Sequence, residues 1–364
     1  MIYFDNAAAT PVSACAAAAA ADTFGNLFGN SFSPHAAGFA AELAVKNSKC
    51  FLAQELSCKP DELFFLSSGS EANRFALCHA ARSLRKKNGG SHIACALGEH
   101  QSVEDALTIL RGEGFCVTYS PPDLVSEYVN ENTVLAAVSE VSNETGHICD
   151  IKKFCVSVKK INPRTAVFAD GVQGFCKLRA PESFADLYTF SGHKVHALKG
   201  IGGVAARNGL SAQLAANVFS SSENTTGILS LAAAAKFLSP LREKHFAHVK
   251  KISEKISSLE KILPRTQINA LPGETSPYVL SMSFFGIKGE TLVNSMSARG
   301  ICASMGAACR VKKSGVTPLE RLGFNEDVSG SAVRFSFSYI NTLDEADEAV
   351  KIIIGCVNDL RGLE

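Results

Sequence analysis

Short apolar runs alternate with longer segments of helical periodicity over the first two thirds of the chain. The runs His92–Leu97, Val134–Ser139 and Leu187–Ser191 are typical of buried strands, whereas Ser70–Lys87 and Ile151–Ile161 repeat apolar residues at helical spacing. Buried strands separated by helices indicate βαβ units and a mainly parallel sheet. The same pattern predicts helices at Gly38–Leu56 and Ser102–Leu110, and strands at Leu63–Leu66, Phe115–Tyr119, Ala166–Ala169 and Gly202–Ala206.

The pattern changes after about residue 225. Helical periodicity runs from Gly227 to Leu263, and Pro240 is expected to kink or divide this helix. We therefore expect a large α/β domain at residues 16–240 and a smaller α+β domain formed by residues 1–15 and 241–364. Its further predicted elements are the strands Tyr278–Phe284 and Val333–Ser338 and the helices Glu290–Ala298 and Leu343–Leu360.

Charge and composition exclude several classes of protein. The 364 residues are 46% hydrophobic and 20% charged, and 36 basic side chains against 35 acidic ones give a net charge of +1. This balance argues against a dedicated nucleic-acid binder and against a polybasic membrane-surface protein. The sequence contains no stretch typical of a membrane span or a signal peptide, so we expect a cytoplasmic protein.

The 12 cysteines contain no C-x-x-C pair, so a structural metal site or a thioredoxin-type site has little support, and no metal is expected. Cys309 lies in a small, glycine-bearing segment beside Arg310, Lys312 and Lys313, and these cations would favour its thiolate. A loop cysteine without a role is the alternative. Seven others are expected to be small buried hydrophobic side chains: Cys15, Cys50, Cys78, Cys95, Cys116, Cys176 and Cys356.

Candidate reactive residues follow the predicted strands, and ligands bind at the carboxyl ends of the strands in such a sheet. Lys194 would favour Schiff-base chemistry if desolvated. Asp170 suits a cationic ring nitrogen, with Gln173 three residues further on. His100 could stack on a planar cofactor and move a proton. Taken singly, Lys194 is better explained as an ordinary surface lysine and His100 as a structural histidine, and a capping or loop aspartate is the alternative for Asp170.

Anion-binding candidates follow two other strands. The small residues and hydroxyls of Ser67–Asn73 open a helix and would form a phosphate cradle, although a plain N-cap at Ser70 is the alternative. No G-x-x-x-x-G-K-[ST] or G-x-G-x-x-G motif is present, which disfavours nucleotide binding. Asn143 follows Val134–Ser139 and would bind a substrate carboxylate or a ring oxygen, or else lies in a simple turn.

These segments, in this order, closely resemble the cysteine desulfurases, which are pyridoxal-phosphate enzymes of the fold-type I, class-V aminotransferase superfamily. The S-G-H-K sequence with D-x-x-Q upstream is quite specific for the superfamily, and the matches run from residue 3 to about residue 345. The matching segments are Tyr3–Thr10, Gly29–Gly38, Ser67–Asn73, Glu99-His100, Asn143–Gly146, Asp170 with Gln173, Ser191–Lys194, Cys309, and Val333–Ser336 followed by Asn341-Thr342.

The resemblance implies a fold and a set of roles. The large domain would hold a mainly parallel seven-stranded sheet, and the smaller α+β C-terminal domain would carry the reactive cysteine. Lys194 would bind pyridoxal 5'-phosphate covalently and move protons, and His100 would stack on its ring. Asp170 would bind the ring nitrogen and Gln173 the 3-oxygen. The phosphate would be bound by Gly69, Ser70, Ser191 and His193, and Ser222 would bind the phosphate of the partner subunit. Asn143 and Arg334 would bind the substrate α-carboxylate, and Asn143 would also contact the cofactor.

The implied reaction is the conversion of L-cysteine to L-alanine by a homodimer. Cys309 would take the sulfur as a persulfide and pass it to an acceptor such as an iron–sulfur scaffold or a tRNA-thiolation protein. Alternatives are a selenocysteine lyase, a cysteine or cystine C–S lyase of the same fold, or a non-catalytic relative that binds a partner. Two departures stand out, since Ser70 and Ser222 replace threonines usual in the family and the segment 305–310 lacks hydroxyl residues around the cysteine.

Overall fold

A computed structural model describes residues 1–178, 185–215, 223–305 and 316–362. The chain divides into two compact units. Residues Pro11–Glu140 and Cys149–Arg242 form the first, called the sheet unit here. Residues Met1–Thr10, Val141–Ile148 and Glu243–Glu364 form the second, called the small unit. The domain limits expected from the sequence stay a prediction.

The described residues form strands and α-helices joined by 3₁₀ turns at Pro60–Glu62, Pro122–Tyr128, Gly192–Lys194 and Ser239–Leu241. The strands are β1 (Ile2–Tyr3), β2 (Leu63–Leu66), β3 (His92–Ala96), β4 (Cys116–Ser120), β5 (Thr133–Ser139), β6 (Ala166–Asp170), β7 (Leu187–Ser191), β8 (Gly202–Ala206), β9 (Thr266–Ile268), β10 (Val279–Phe284), β11 (Ile301–Cys302) and β12 (Ala332–Ser336). The helices are α1 (Ala14–Gly25), α2 (Ala36–Glu55), α3 (Gly69–Asn88), α4 (Gln101–Gly112), α5 (Ile151–Ile161), α6 (Leu210–Ala215), α7 (Thr225–Leu238), α8 (Arg242–Ser257), α9 (Leu259–Ile262), α10 (Gly289–Ala298), α11 (Pro318–Arg321), α12 (Glu326–Gly330) and α13 (Leu343–Arg361).

The sheet unit is built on a seven-stranded sheet in the order β2-β8-β7-β6-β5-β3-β4. Strand β8 runs antiparallel to both of its neighbours, β2 and β7. The pairs β3–β4, β3–β5, β5–β6 and β6–β7 are parallel. The predicted α/β fold with a mainly parallel sheet is thereby confirmed. Every strand of this seven-stranded sheet except β8 therefore ends at the same edge of the sheet, which we call the carboxyl edge.

The core of the sheet unit explains why α3 and α4 lie on the sheet. The apolar face of α3 places Leu77 and Ala80 against buried strand residues, and α4 adds Leu107. Ile93 and Phe168 on the strands are fully buried in the same cluster. Burial of this apolar face stabilises α3 far more than its intrinsic propensity does, and it fixes the direction in which the helix begins.

The small unit contains a three-stranded antiparallel sheet in the order β12-β10-β9 and a parallel β1–β11 pair. Its core gathers Phe335 and Met282 from the sheet with Ile252 of α8 and Ile353 of α13. The expected division of the long helix at Pro240 is confirmed, because α7 ends at Leu238 and α8 begins at Arg242 after a 3₁₀ turn. Within the described residues no helix is both long enough and apolar enough to cross a membrane.

The start of α3 corrects one expectation. Ser68, not Ser70, is the N-cap, since its hydroxyl accepts a hydrogen bond from Glu71 N at 3.1 Å. Ser68 has the extended backbone that a cap requires, with φ of −165° and ψ of 164°. The Glu71 carboxylate accepts from Ser67 N at 2.8 Å, which holds the chain entering the helix. The Ser70 hydroxyl is left on the exposed first turn.

The cysteine prediction is confirmed for four residues and wrong for three. Cys78, Cys95, Cys176 and Cys356 are buried, but Cys15 and Cys116 are exposed and Cys50 is half-buried. Cys116 begins β4, the edge strand of the sheet, and Cys15 lies in the first turn of α1. An apolar run predicts a strand or helix but does not reveal which of its residues faces solvent.

Gly202 is predicted to be essential for the start of α3. A Cβ at this position would lie 2.5 Å from the backbone carbon of Ser68 and 2.7 Å from Gly69 N. We expect Gly202→Ala to lower the free energy of unfolding by about 2 kcal/mol, because backbone atoms cannot rotate away as a side chain would. Gly112→Ala is the control, since a Cβ there would meet no described atom within 4 Å apart from its chain neighbours and the backbone of its own helix. Equal urea midpoints for the two variants would contradict this account.

Candidate active site

The carboxyl edge of the sheet unit gathers most of the site residues predicted from the sequence. Asp170 is the last residue of β6, and β7 runs into the 3₁₀ turn that contains Lys194. His100 follows β3 and is the N-cap of α4. Strand β2 leads into the N-terminus of α3. The parallel strands therefore bring a carboxylate, an amine, an imidazole and a helix N-terminus to one edge.

Asp170 is buried and is held by two donors. Val172 N donates to Oδ1 at 2.9 Å, and Asn73 Nδ2 donates to Oδ2 at 2.6 Å. Gln173, three residues on, is also buried, and its Oε1 accepts from Lys177 Nζ at 3.0 Å. A carboxylate fixed at a strand end in this way is suited to bind a cationic ring nitrogen.

Asn73 connects Asp170 to His100. Its Nδ2 also donates to Ser102 Oγ at 2.9 Å, and Ser102 Oγ lies 2.8 Å from His100 Nδ1. Its Oδ1 accepts from Thr189 Oγ1 at 2.6 Å. Asn73 ends the matching segment Ser67–Asn73, but neither this residue nor Ser102 or Thr189 was predicted from the sequence to have a role of its own.

The N-terminus of α3 lies directly against the end of β7. A Cβ on Gly69 would lie 2.8 Å from Val172 Cγ2 and 3.1 Å from Ser191 Cβ, so a larger residue would force these side chains to shift. Ser191 Oγ in turn lies 3.1 Å from His193 Nδ1. The structure thus brings Gly69, Ser191 and His193 together, with Ser70 on the same first turn. Free N–H groups at a helix N-terminus attract anions.

Positive charge collects around His193. Burial, together with the nearby charges of Lys194, Lys199 and Lys177, lowers its pKa to about 4. The ring is therefore neutral at neutral pH, and the lysines supply the positive charge there. Such surroundings favour a phosphate group, because the anion meets cations and a helix N-terminus together.

Pyridoxal 5'-phosphate fits these residues. It requires an amine, a carboxylate for its ring nitrogen and an anion cradle. Lys194, Asp170 and the contact between Gly69 and Ser191 supply these three at one edge of one sheet.

Two further buried carboxylates, Glu99 and Glu140, follow strands that end at this edge, and neither was predicted as a site residue from the sequence. Burial raises the pKa of Glu99 to about 8 and that of Glu140 to about 7, and the charge of Asp170 acts in the same direction. Ser139 donates to Glu99 from its N at 2.7 Å and from its Oγ at 2.5 Å. Tyr188 donates from its hydroxyl to Glu140 Oε2 at 2.6 Å. Burial, which sets both pKa values, cannot be derived from the sequence at these positions.

The Tyr188–Glu140 pair also shapes the loop after Asp170. A Cβ on Gly171 would overlap the Tyr188 ring, and a Cβ on Gly174 would overlap the Glu140 carboxylate. The backbone carrying Gln173 therefore runs directly over these two buried side chains.

The small unit brings together the two residues expected to bind a carboxylate. Arg334 lies in the middle of β12 and is buried, and its Nη1 donates to Asn143 O at 2.9 Å. Asn143 Nδ2 donates to Glu144 Oε1 at 2.8 Å. Arg334 also faces two carboxylates, with Nη2 3.4 Å from Asp5 Oδ1 and Nη1 3.7 Å from Glu144 Oε1. These anions orient the guanidinium and offset the cost of burying its charge.

The Arg334 guanidinium keeps unused capacity for hydrogen bonding. Its Nε is buried and has no acceptor among the described residues. A planar guanidinium binds carboxylates through two parallel N–H groups, so such a donor is suited to an anionic ligand. The remaining two predicted site residues, Cys309 and Ser222, lie outside the described residues.

The fold of this chain is similar to that of solved structures. A solved structure of a NifS-like protein matches with a TM-score of 0.88 and 27% identity, covering 98% of this chain and 99% of that one. The apo cysteine desulfurase of Thermococcus onnurineus matches with a TM-score of 0.86 at 18% identity, covering 98% of this chain and 95% of that one, which shows the fold alone. The fold is that of the fold-type I pyridoxal-phosphate enzymes.

The aminotransferase class-V family model matches residues 2–348. A NifS/IcsS protein homologue of Lactobacillus delbrueckii subsp. bulgaricus is 30% identical over 370 residues, covering 96% of this chain and 95% of the relative. The cysteine desulfurase IscS of Buchnera aphidicola subsp. Schizaphis graminum is 30% identical over 389 residues, covering 100% of this chain and 94% of the relative. The chain therefore belongs to the class-V aminotransferase family, whose members are pyridoxal-phosphate-dependent enzymes.

The raised pKa of Glu99 predicts a pH dependence of stability. The folded protein holds a proton on Glu99 up to about pH 8, whereas the unfolded chain releases it near pH 4. Wild type should therefore lose about 1.4 kcal/mol of unfolding free energy per pH unit, relative to Glu99→Gln, between pH 5 and 8. Urea unfolding at pH 5, 6, 7 and 8 measures this difference. A difference that does not change with pH would show that Glu99 is ionised in the fold.

Proposed function

We propose that the protein is a cysteine desulfurase that converts L-cysteine to L-alanine and transfers the sulfur through a cysteine persulfide to an acceptor. The observation that carries the proposal is the meeting of Asp170, Lys194 and the α3 N-terminus at one edge of the sheet. Relatives that match over the full length of the chain are named cysteine desulfurases, which supports this reaction.

Bound pyridoxal 5'-phosphate supplies an electron sink for negative charge that develops at the substrate α-carbon. Asp170 would hold the proton on the ring nitrogen, because its carboxylate is buried and already fixed by Asn73. Lys194 would bind the cofactor and then move a proton at its Nζ, while His100 would stack on the ring. The remaining proposed contacts are Gln173 with the 3-oxygen, and Gly69, Ser70, Ser191, His193 and Ser222 with phosphate.

Arg334 would bind the substrate α-carboxylate, and Asn143 would position it. The contact between Arg334 Nη1 and Asn143 O supports this pairing. The Nε donor, which has no acceptor among the described residues, would become paired on binding. Before the substrate binds, Asp5 and Glu144 hold the Arg334 guanidinium in place, so the guanidinium needs little rearrangement on binding.

Cys309 would take the sulfur. Its thiolate attacks the substrate sulfur, so an S–S bond forms as the C–S bond breaks, and the electron pair of the broken bond stays on the carbon that becomes the methyl group of alanine after protonation. Arg310, Lys312 and Lys313 adjoin it in the sequence and favour the thiolate. The acceptor would be an iron–sulfur scaffold or a tRNA-thiolation protein, and the cytoplasmic location stays part of this proposal.

Product analysis tests the reaction against a C–S lyase. Protein loaded with pyridoxal 5'-phosphate and given L-cysteine with a reductant should form alanine and sulfide in equal amounts. Cys309→Ala should lose both while keeping the visible absorbance of the bound cofactor, and Lys194→Ala should lose that absorbance. Pyruvate in place of alanine, or turnover that survives Cys309→Ala, would instead identify a lyase that needs no protein thiol.

A homodimer is the second part of the proposal. Phe24, Phe28, Phe32 and Phe39 are 61–76% exposed within one stretch of the sheet unit, and Leu43 follows Phe39 on the same helix face. At roughly 200 Å² per ring these aromatics expose on the order of 500 Å², a large part of the roughly 800 Å² that each partner contributes to a stable interface. Glu42 is the one formally charged residue between positions 24 and 43, so two copies meet with little repulsion.

Phe39→Arg should weaken the dimer at least about tenfold, because each interface would then bury two unpaired guanidinium groups. Sedimentation equilibrium measures the dissociation constant. Val156→Arg is the matched control, since Val156 is 58% exposed on α5. A monomeric wild type, or a Phe39→Arg dimer as tight as wild type, would refute this interface.

A further inference from the structure

Asn73 is the centre of a buried chain of hydrogen bonds. The side chain is 1% exposed, and its amide has a partner on each side. An ionised carboxylate only accepts, so the NH₂ group must be the one that faces Asp170 Oδ2 at 2.6 Å. This fixes the orientation of the amide, and its Oδ1 must then accept from Thr189 Oγ1 at 2.6 Å. The second Nδ2 proton is directed to Ser102 Oγ at 2.9 Å.

Ser102 extends this chain of hydrogen bonds to His100. Since Ser102 Oγ accepts from Asn73, its own proton is available to His100 Nδ1 at 2.8 Å. The backbone N–H of Ser102 also donates to Nδ1, at 3.1 Å. A ring nitrogen that accepts from two donors carries no proton itself. The neutral imidazole must therefore hold its proton on Nε2.

We propose that Asn73 and Ser102 are positioning residues that link Asp170 to His100 and fix the His100 tautomer with its proton on Nε2. The catalytic consequence rests on the proposed function, in which His100 stacks on the cofactor and moves a proton. A fixed tautomer gives that transfer one defined atom, Nε2, and leaves Nδ1 committed to Ser102. The same chain keeps Asp170 paired with Asn73 while the ring is in place.

The test uses two substitutions and a matched control. Ser102→Ala removes the hydroxyl donor. In Asn73→Asp a carboxyl group replaces the amide and shares one proton with Asp170, so its outer oxygen accepts from the Ser102 hydroxyl, which no longer donates to His100. Thr108→Ala is the control, because it removes from the same helix a hydroxyl that donates to Glu104 O within α4. Ser102→Thr keeps the hydroxyl and should rescue the wild-type behaviour.

The readout is NMR of ¹⁵N- and ¹³C-labelled histidine in the full-length protein, with and without pyridoxal 5'-phosphate. His100→Gln identifies the His100 signals among the nine histidines. Wild type, Thr108→Ala and Ser102→Thr should show Nδ1 unprotonated and Nε2 protonated, whereas Ser102→Ala and Asn73→Asp should show a mixture of tautomers. In parallel, kcat should fall about tenfold and its pH profile should shift, with KM changed less than about twofold.

Two results would overturn the proposal. One is a wild-type His100 with its proton on Nδ1. The other is an unchanged tautomer in both Ser102→Ala and Asn73→Asp, which would leave the backbone N–H as the sole determinant. If Ser102→Ala does not fold, Asn73→Asp decides alone. The tautomer is measured without turnover, so failure of the desulfurase reaction would leave this result readable.

Discussion

The hydrogen bond between Asn73 and Asp170 is the contact on which the cofactor side of the molecule depends. It joins the first turns of α3 to the end of β6, and the same amide reaches β7 through Thr189 and α4 through Ser102. One buried side chain therefore sets the spacing between a helix N-terminus suited to phosphate and a carboxylate suited to a ring nitrogen. Because every polar atom of this amide is satisfied, the cluster resists local rearrangement.

Charge is segregated along the carboxyl edge, although the chain as a whole is almost neutral. Lysines surround His193 near the start of α3, whereas Glu99 and Glu140 lie near Asp170. The raised pKa values of Glu99 and Glu140 reduce the negative charge that these two side chains add, so Asp170 is the main anion at that end of the edge. One end of the edge is thus suited to an anion and the other to a cation, as a zwitterionic planar ligand requires.

Periodicity predicted the strands, and the rule that ligands bind at strand ends then selected Asp170, Lys194 and His100. This rule could not select Asn73 or Ser102. Asn73 is 97 residues from Asp170 and 29 residues from Ser102 in the sequence, and only the packing of α3 on the sheet brings these side chains together. Local pattern also suggested Ser70 as the alternative N-cap, whereas Ser68 is the N-cap in the structure. The difference depends on the direction in which the chain leaves β2, which tertiary packing determines.

The loop that carries Gln173 has a further consequence for how this sequence can diverge. Tyr188 fills the space beside Gly171, and Glu140 fills the space beside Gly174. A methyl group at position 171 becomes acceptable only after the ring at position 188 shrinks, and positions 174 and 140 are coupled in the same way. These four sites therefore change in pairs, so a substitution that is harmless in one descendant is damaging in another, and the order in which the mutations arise decides which ones persist.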